Sequence, residues 1–219
     1  KPIDMSRSNH KLFLDMNNRG EMRFGRLNGV SVSNDPTSAA DGGNGFIMDQ
    51  GFTIAGNGWD FGATRDSMGL TISVPVAMNS DGSDITGPSY EYITFNNSET
   101  YSYPLTYPAE NLSKEKAMLT VREHLDDRPK VVPLTGWNFA DEQTIRLLPI
   151  GTAFDQAHIY EFTYTAKNPV VSGLGLAATR DFISFLRYAP KSGGRVDNPL
   201  ADTIKQTYSF SISQPSRAL

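Results

Sequence analysis

The chain has 219 residues, 38% hydrophobic and 20% charged, which is the composition of a globular protein with enough length for a core and not of a disordered segment. Its net charge of −4 gives no footprint for nucleic acid or an anionic membrane, and no apolar run is long enough to span a bilayer. Because there is no cysteine, disulfides, thiolate chemistry and cysteine-ligated zinc are excluded.

The first predicted element is a buried strand over residues 11–16, which stops at the polar turn Asn17-Asn-Arg-Gly20. Asp35-Pro36 then supplies a helix cap and a proline suited to a first helical position, so residues 37–50 are predicted to be helical despite three glycines. A dinucleotide-binding loop is disfavoured there because the glycines follow a helix start instead of a strand end. A second strand is predicted over residues 51–59.

From about Ala63 to Thr165 the pattern changes to short alternating runs between Gly, Pro, Asn and Ser clusters. Alternation of this kind predicts antiparallel β structure, in runs at 70–76, 90–95, 117–122 and 159–164. The stretch is too long for a simple loop. We therefore predict three parts: a core segment over 1–62, an inserted β-rich lobe or cap over 63–165, and a second core segment over 166–219.

After the lobe, apolar residues at helical spacing predict a helix over residues 174–188. A loop over 191–199 and a strand beginning at Gln206 follow. The order of strands and helices outside the lobe predicts an α/β fold, in which a parallel sheet is connected by crossover helices.

Ser213 lies where this last strand meets Gln214-Pro215, the predicted start of another helix. A serine at a strand-to-helix turn has the nucleophile-elbow arrangement, which lifts the hydroxyl out of the sheet and leaves the N–H of Gln214 free to stabilise an oxyanion. The usual G-x-S-x-G pattern is not met at Ser211 and Pro215. A plain serine at the end of a buried strand is the alternative.

The chain resembles a poorly characterised group of bacterial and fungal proteins known as alpha/beta hydrolase domain proteins. The resembling segments are Asn17-Asn-Arg-Gly20, Ser33-Asn-Asp-Pro-Thr-Ser-Ala-Ala-Asp41, Gly43-Asn-Gly-Phe46, Tyr164-Thr-Ala-Lys-Asn-Pro169, Gly173-Leu-Gly-Leu-Ala-Ala-Thr-Arg-Asp181 and Asp197-Asn-Pro-Leu200. The resemblance implies a partial α/β-hydrolase fold, running from its third strand to its nucleophile elbow, with the β-rich lobe inserted.

In that group the elbow is similar to G-[IV]-S-Q-S-G-R, which aligns with Ser211-Ile-Ser-Gln-Pro-Ser-Arg217. Ser213, Gln214 and Arg217 match this pattern, whereas Ser211, Pro215 and Ser216 depart from it. The resemblance implies that Ser213 is the nucleophile of an ester hydrolase. It also implies that the catalytic acid and histidine follow the serine in the chain.

The histidines of this sequence, His10, His124 and His158, all precede Ser213. We therefore expect the acid and base beyond Leu219 or on a companion chain, and the 219 residues alone to be inactive. An unpaired edge beside the Ser213 strand would then favour a companion chain or a homo-oligomer. A chain beginning at Lys1 is expected to be a mature product or fragment, with a secreted or periplasmic location favoured.

The turn after the first strand is where such hydrolases place their second oxyanion donor, so Asn17 and Asn18 are candidate donors and Arg19 a candidate cleft residue. The alternative is an ordinary strand-end turn, in which asparagine is common. Trp59 is a candidate cleft residue or a core tryptophan. Arg217 is the remaining cleft candidate.

Neither His124 nor His158 has the spacing of a zinc ligand, and Asp81-Gly-Ser-Asp84 lacks most of a calcium loop, so neither a metal nor a cofactor is expected. The predicted function is a serine carboxylic-ester hydrolase that forms an acyl-enzyme on Ser213. A non-catalytic relative that acts by binding is the first alternative. A carbohydrate-binding β module would explain the lobe but not the strand and helix order around it.

Overall fold

The computed structural model describes residues 4–29, 33–63 and 68–218. Residues 64–67 of the predicted lobe and Leu219 therefore lie outside the described residues. The chain divides into two compact units, Lys1–Val74 with Ser172–Leu219, and Pro75–Val171. The elements in chain order are β1 (Lys11–Met16), α1 (Phe46–Asp49), β2 (Thr53–Gly56), β3 (Thr86–Thr94), β4 (Tyr103–Pro104), β5 (Met118–Arg122), β6 (Lys130–Val131), β7 (Trp137–Asp141), β8 (Thr144–Leu147), β9 (Ile159–Lys167), α2 (Leu174–Tyr188) and β10 (Gln206–Ser211).

A three-stranded parallel sheet in the order β10-β1-β2 forms the centre of the first unit. The register pairs Lys11 with Gln206 and Met16 with Ser211, so β1 and β10 end side by side. Strand β1 is buried on both faces because it is the middle strand, and a middle strand of a covered parallel sheet has apolar residues without alternation. This explains why residues 11–16 are one apolar run and confirms the strand predicted there.

The helix predicted over residues 174–188 is confirmed as α2. Its apolar side packs on one face of the sheet, where Leu186 and Phe182 join Leu12 in a small core. The other face carries a second core around Phe13 and Phe24. Because successive residues of a strand point to opposite faces, Leu12 and Phe13 belong to different cores.

The end of α2 is held by Asn198, whose side chain is 1% exposed. Its amide nitrogen donates to the carbonyls of Phe185, Leu186 and Ala189 at 2.9, 3.2 and 2.8 Å. Its amide oxygen accepts the N–H of Leu200 at 2.9 Å. The last carbonyls of a helix have no partner within the helix. The carbonyl of Phe185 also accepts the N–H of Ala189 at 3.0 Å, and the side chain of Asn198 supplies donors to the others as well.

The helix predicted over residues 37–50 is wrong. A 3-10 turn spans Ala39–Gly42, and α1 has only four residues, Phe46–Asp49. Between them Gly43 and Gly45 adopt φ values of +58° and +73°, which a right-handed helix does not allow. The strand predicted over residues 51–59 is shorter, at Thr53–Gly56.

The second unit consists of two antiparallel sheets, one in the order β3-β9-β5-β6 and the other in the order β4-β8-β7. Their shared core includes a group of packed rings, in which Trp137 lies 5.1 Å from Phe162 and Phe139 lies 5.7 Å from Phe162 between centroids. The runs predicted at 90–95, 117–122 and 159–164 overlap β3, β5 and β9. The run at 70–76 forms no strand.

The chain enters and leaves the second unit through paired segments. Val76 and Val170 form an isolated antiparallel bridge. The N–H of Ala77 donates to the carbonyl of Pro169 at 2.8 Å, and the N–H of Val171 donates to the carbonyl of Pro75 at 3.0 Å. The two ends of this unit are therefore hydrogen-bonded to each other.

The predicted α/β-hydrolase fold, a parallel sheet with crossover helices, is wrong for this chain. Of the ten described strands only β1, β2 and β10 are in a parallel sheet, and the other seven are antiparallel. Helix content is also too low: the connection from β1 to β2 has only the four-residue α1 as α-helix, and α2 is the one long helix described. The glycines at positions 42, 43 and 45 are the local reason why no longer helix forms between β1 and β2. None of the described helices has the length and apolar character needed to cross a membrane.

Candidate functional site

The candidate site is at the carboxyl ends of the three parallel strands. Because neighbouring parallel strands end at the same edge of a sheet, the turns that follow β1, β2 and β10 meet there. The side chain of Asn18 donates to the carbonyl of Ile212 at 2.8 Å, and the N–H of Arg19 donates to the side-chain oxygen of Gln214 at 3.3 Å. The turn at residues 17–20 is thus joined to the segment around Ser213.

Ser213 has an unusual backbone conformation, with φ +69° and ψ −113°. Residues other than glycine adopt such angles at a cost of about 1–3 kcal/mol, and they are concentrated at functional sites. The side chain is exposed, and a 3-10 turn at Gln214–Arg217 follows it directly. Gln214 is the first residue of that turn, so its N–H has no partner within the turn and is available to a ligand.

Two of the three departures from the usual elbow pattern contact each other. The hydroxyl oxygens of Ser211 and Ser216 lie 3.0 Å apart, a hydrogen bond across the base of the turn. The third departure, Pro215, is buried at the start of the 3-10 turn, where proline needs no hydrogen-bond partner for its nitrogen. These residues are therefore compatible with a sharp turn at Ser213.

Asn17 is fully buried and connects two of the turns. Its amide nitrogen donates to the carbonyl of Asn57, its amide oxygen accepts the N–H of Gly20 at 3.0 Å, and its carbonyl accepts the indole N–H of Trp59 at 2.9 Å. The N–H of Asn18 donates to the carbonyl of Glu21 at 2.9 Å. In this structure the side-chain donors of Asn17 and Asn18 and the N–H of Asn18 therefore hold the turns together.

The two remaining cleft candidates differ in their surroundings. Trp59 is half-buried, with its indole N–H directed at the turn after β1 and its carbonyl against Gly175 of α2, where a Cβ would come within 1.9 Å of the oxygen. Arg217 is exposed at the end of the 3-10 turn. Within the described part of the chain, no hydrogen bond or ion pair joins Arg217 to the other candidates.

Sequence reasoning missed three polar residues of this edge. The carboxylate of Asp60 accepts the side-chain N–H of Gln214 at 2.7 Å, and Asn57 donates to the hydroxyl of Thr179 at 2.9 Å. Asn57 and Asp60 follow β2 directly, as the turn at residues 17–20 follows β1. Their position after a strand of the same sheet is the signal that could have found them.

Asp15 of β1 is also buried, close to the end of the strand that leads into the site. One of its carboxylate oxygens accepts the N–H groups of Arg23 and Phe24, both at 2.6 Å, and the other has no partner among the described residues. Burial raises the pKa of this carboxyl, and the two backbone hydrogen bonds oppose the shift. These bonds fix the loop after β1 against the sheet.

His10 is the histidine of the first unit, and it is not placed to act as a base for Ser213. His10 precedes β1, and its ring nitrogen lies 3.0 Å from the carbonyl of Thr203. It is at the opposite end of the sheet from Ser213, about 20 Å away along a six-residue strand at roughly 3.3 Å per residue. In the second unit, His124 is paired with Asp127, and His158 lies 3.9 Å from Glu123. The described residues contain no group of three that could hold a metal ion.

A cavity of about 1090 Å³ lies beside β2 in the first unit. Met22, Phe24, Phe52 and Ile54 form its apolar wall. Ser213 is not among the described residues that line it, so the elbow opens to the surface and not into this cavity. No family model, curated protein or solved structure matches the chain.

Proposed function

We propose that this protein is a serine hydrolase that cleaves carboxylic esters, with Ser213 as the nucleophile. The observation that carries the proposal is the backbone of Ser213, at φ +69° and ψ −113° on an exposed turn after a parallel strand. A strained turn at this point presents the hydroxyl to solvent, which a serine with a purely structural role does not need. The match of Ser213, Gln214 and Arg217 to the elbow of alpha/beta hydrolase domain proteins supports the same role.

In the proposed reaction the oxygen of Ser213 forms a bond to the acyl carbon while its proton passes to a base. The N–H of Gln214 donates to the oxyanion that develops on the carbonyl oxygen. Collapse of the resulting tetrahedral intermediate breaks the ester bond, and the base returns the proton to the departing alkoxide. Water then attacks the acyl-enzyme by the same route and releases the acid and free Ser213.

The base and its acid partner are proposed to come from outside these 219 residues, either from further sequence or from a companion chain. The position of His10 at the far end of the sheet supports this. No cofactor or metal takes part in the proposed reaction.

The second candidate is a binding protein in which the turn is retained without turnover. It is favoured by one observation: the donors of Asn18 and Arg19 are engaged by the segment around Ser213 itself. A site that satisfies its own donors is stable without a substrate. The experiment below separates the two candidates.

The test is covalent labelling of Ser213 by a fluorophosphonate probe, applied to the protein expressed from its complete gene. Mass spectrometry is expected to find the adduct on the peptide containing Ser213, and Ser213→Ala to abolish it. Ser209→Ala is the matched control, since Ser209 is an exposed serine of β10 on the same strand. An adduct on another residue would reject Ser213 as the nucleophile. Absence of any adduct with the fold intact would reject the hydrolase and favour the binding role.

A further inference from the structure

The side chain of Gln214 connects all three strand-end turns. Its amide nitrogen donates to the carboxylate of Asp60 at 2.7 Å, and its amide oxygen accepts the N–H of Arg19 at 3.3 Å. Gln214 itself follows the strand that ends in the elbow. Asp60 follows β2, and Arg19 follows β1. We refer to these two hydrogen bonds as the Gln214 clamp.

The orientation of the side-chain amide in the Gln214 clamp is determined by its two partners. A backbone N–H can only donate and a carboxylate can only accept, so the amide must direct its oxygen to Arg19 and its nitrogen to Asp60. The bond to Asp60 is charge-assisted and therefore the stronger of the two. It joins residues that are 154 positions apart in the chain.

We propose that Asp60 is a positioning residue of the hydrolase, acting through the side chain of Gln214 on the oxyanion donors. The proposal rests on the proposed function. The N–H of Gln214 is the first donor, and its peptide is fixed because the side chain of the same residue is bonded at both ends. The N–H of Arg19 is the second donor, oriented toward the elbow by the oxygen of Gln214, and the long 3.3 Å bond is readily exchanged for a substrate oxyanion.

The chemistry of Asp60 allows its positioning role to be separated from its structural one. Its other carboxylate oxygen accepts the N–H of Gly62 at 2.9 Å, and its carbonyl accepts the hydroxyl of Thr71 at 2.9 Å. Truncation to alanine would keep the bond to Thr71 but remove the acceptor for Gly62, and would therefore also loosen the turn. In Asp60→Asn the amide oxygen can still accept from Gly62, and only the acceptor for Gln214 is lost.

The experiment exchanges the donor and the acceptor of the hydrogen bond between residues 60 and 214. Asp60→Asn removes the acceptor, and Gln214→Glu places a carboxylate against the Asp60 carboxylate. In the double variant the introduced asparagine donates to the introduced glutamate, whose second oxygen accepts the N–H of Arg19, so both hydrogen bonds are restored in reverse. The readouts are the saturating rate and half-saturation concentration of fluorophosphonate labelling at Ser213, with the folded fraction of each variant measured by circular dichroism.

Each single variant is expected to reduce the saturating labelling rate by about tenfold or more, because a small misplacement of a catalytic group has effects of this size. The half-saturation concentration is expected to change little, and the double variant to recover most of the rate. Asp197→Asn, an exposed aspartate of another loop, is the control and is expected to label as the parent does.

Three results would overturn the role of Asp60. If each single variant labels at the parental rate, Asp60 has no positioning role, and the assignment of Ser213 as the nucleophile is unaffected. A rate loss that matches a loss of folded protein would show a structural role only. Absence of labelling at Ser213 in the parent would reject the hydrolase itself, and the role of Asp60 with it.

Discussion

Substitution of Asn198 by alanine tests how much one buried side chain contributes to the first unit. The substitution removes the donor to the carbonyls of Phe185, Leu186 and Ala189 and the acceptor for the N–H of Leu200. A buried hydrogen bond contributes about 1 kcal/mol net, and an orphaned buried group costs about 1–3 kcal/mol. We therefore expect Asn198→Ala to lower the free energy of unfolding by about 3–4 kcal/mol.

The assay is urea denaturation, with hydrogen exchange of the α2 peptide used to assign the loss to the first unit. The melting temperature is expected to fall by roughly 6–16 °C, at roughly 2–4 °C per kcal/mol for a chain of this size. Asn96→Ala, at an exposed asparagine of the second unit, is the control and is expected to be close to neutral. A loss below about 1 kcal/mol in Asn198→Ala would refute the capping role.

Two further substitutions test the first unit. Because the pKa of the Asp15 carboxyl is raised in the folded protein, its stabilising contribution is complete below the unfolded pKa and is lost as pH rises through the folded value. Asp15→Asn is expected to flatten the dependence of the free energy of unfolding on pH and to be the more stable form at neutral pH. Denaturation at a series of pH values measures this, and an unchanged dependence on pH would contradict the burial argument. Gly175→Ala places a Cβ 1.9 Å from the carbonyl oxygen of Trp59 and is expected to cost at least about 1–3 kcal/mol in thermal unfolding. Gly173→Ala, where the new Cβ has no neighbour within 4 Å, is its control, and a loss in Gly175→Ala no larger than in Gly173→Ala would contradict the steric argument.

The elements that could be predicted from the sequence are those whose burial follows local periodicity. The strand β1 and the helix α2 have apolar patterns that match their own secondary structure, and both were predicted. The helix predicted over residues 37–50 was wrong because its capping signal at Asp35-Pro36 is local. The positive φ values at Gly43 and Gly45 occur in a loop whose next residues pack on β1 through Ile47, a contact that is distant in sequence.

The fold class failed for a related reason. An order of strands and helices indicates which elements exist, but the direction in which strands pair is set by contacts that are distant in sequence. In this chain most strands are in the antiparallel sheets between Pro75 and Val171. The parallel sheet has only three strands.

The candidate site could be predicted in part. The turn at residues 17–20 and Ser213 were identified because both follow a predicted strand, and the structure brings them together through Asn18 and Arg19. Asp60 was missed because its contact with Gln214 spans 154 positions, and a contact of this kind leaves no periodic trace in one sequence. The role of Ser213 as a nucleophile stays a prediction.

The paired ends of the second unit affect how the first unit can fold and change. Since Val76 and Val170 form a bridge, the chain returns from the second unit close to the point at which it entered. The entropy of closing a flexible loop grows with the number of its residues. Because Pro75–Val171 is a folded unit whose ends are hydrogen-bonded to each other, it acts on the first unit as a short connection and not as a flexible loop of its full length. We therefore expect that Pro75–Val171 can be shortened or exchanged while β1, β2 and β10, which lead into the turns of Asn18, Asp60 and Ser213, keep their register.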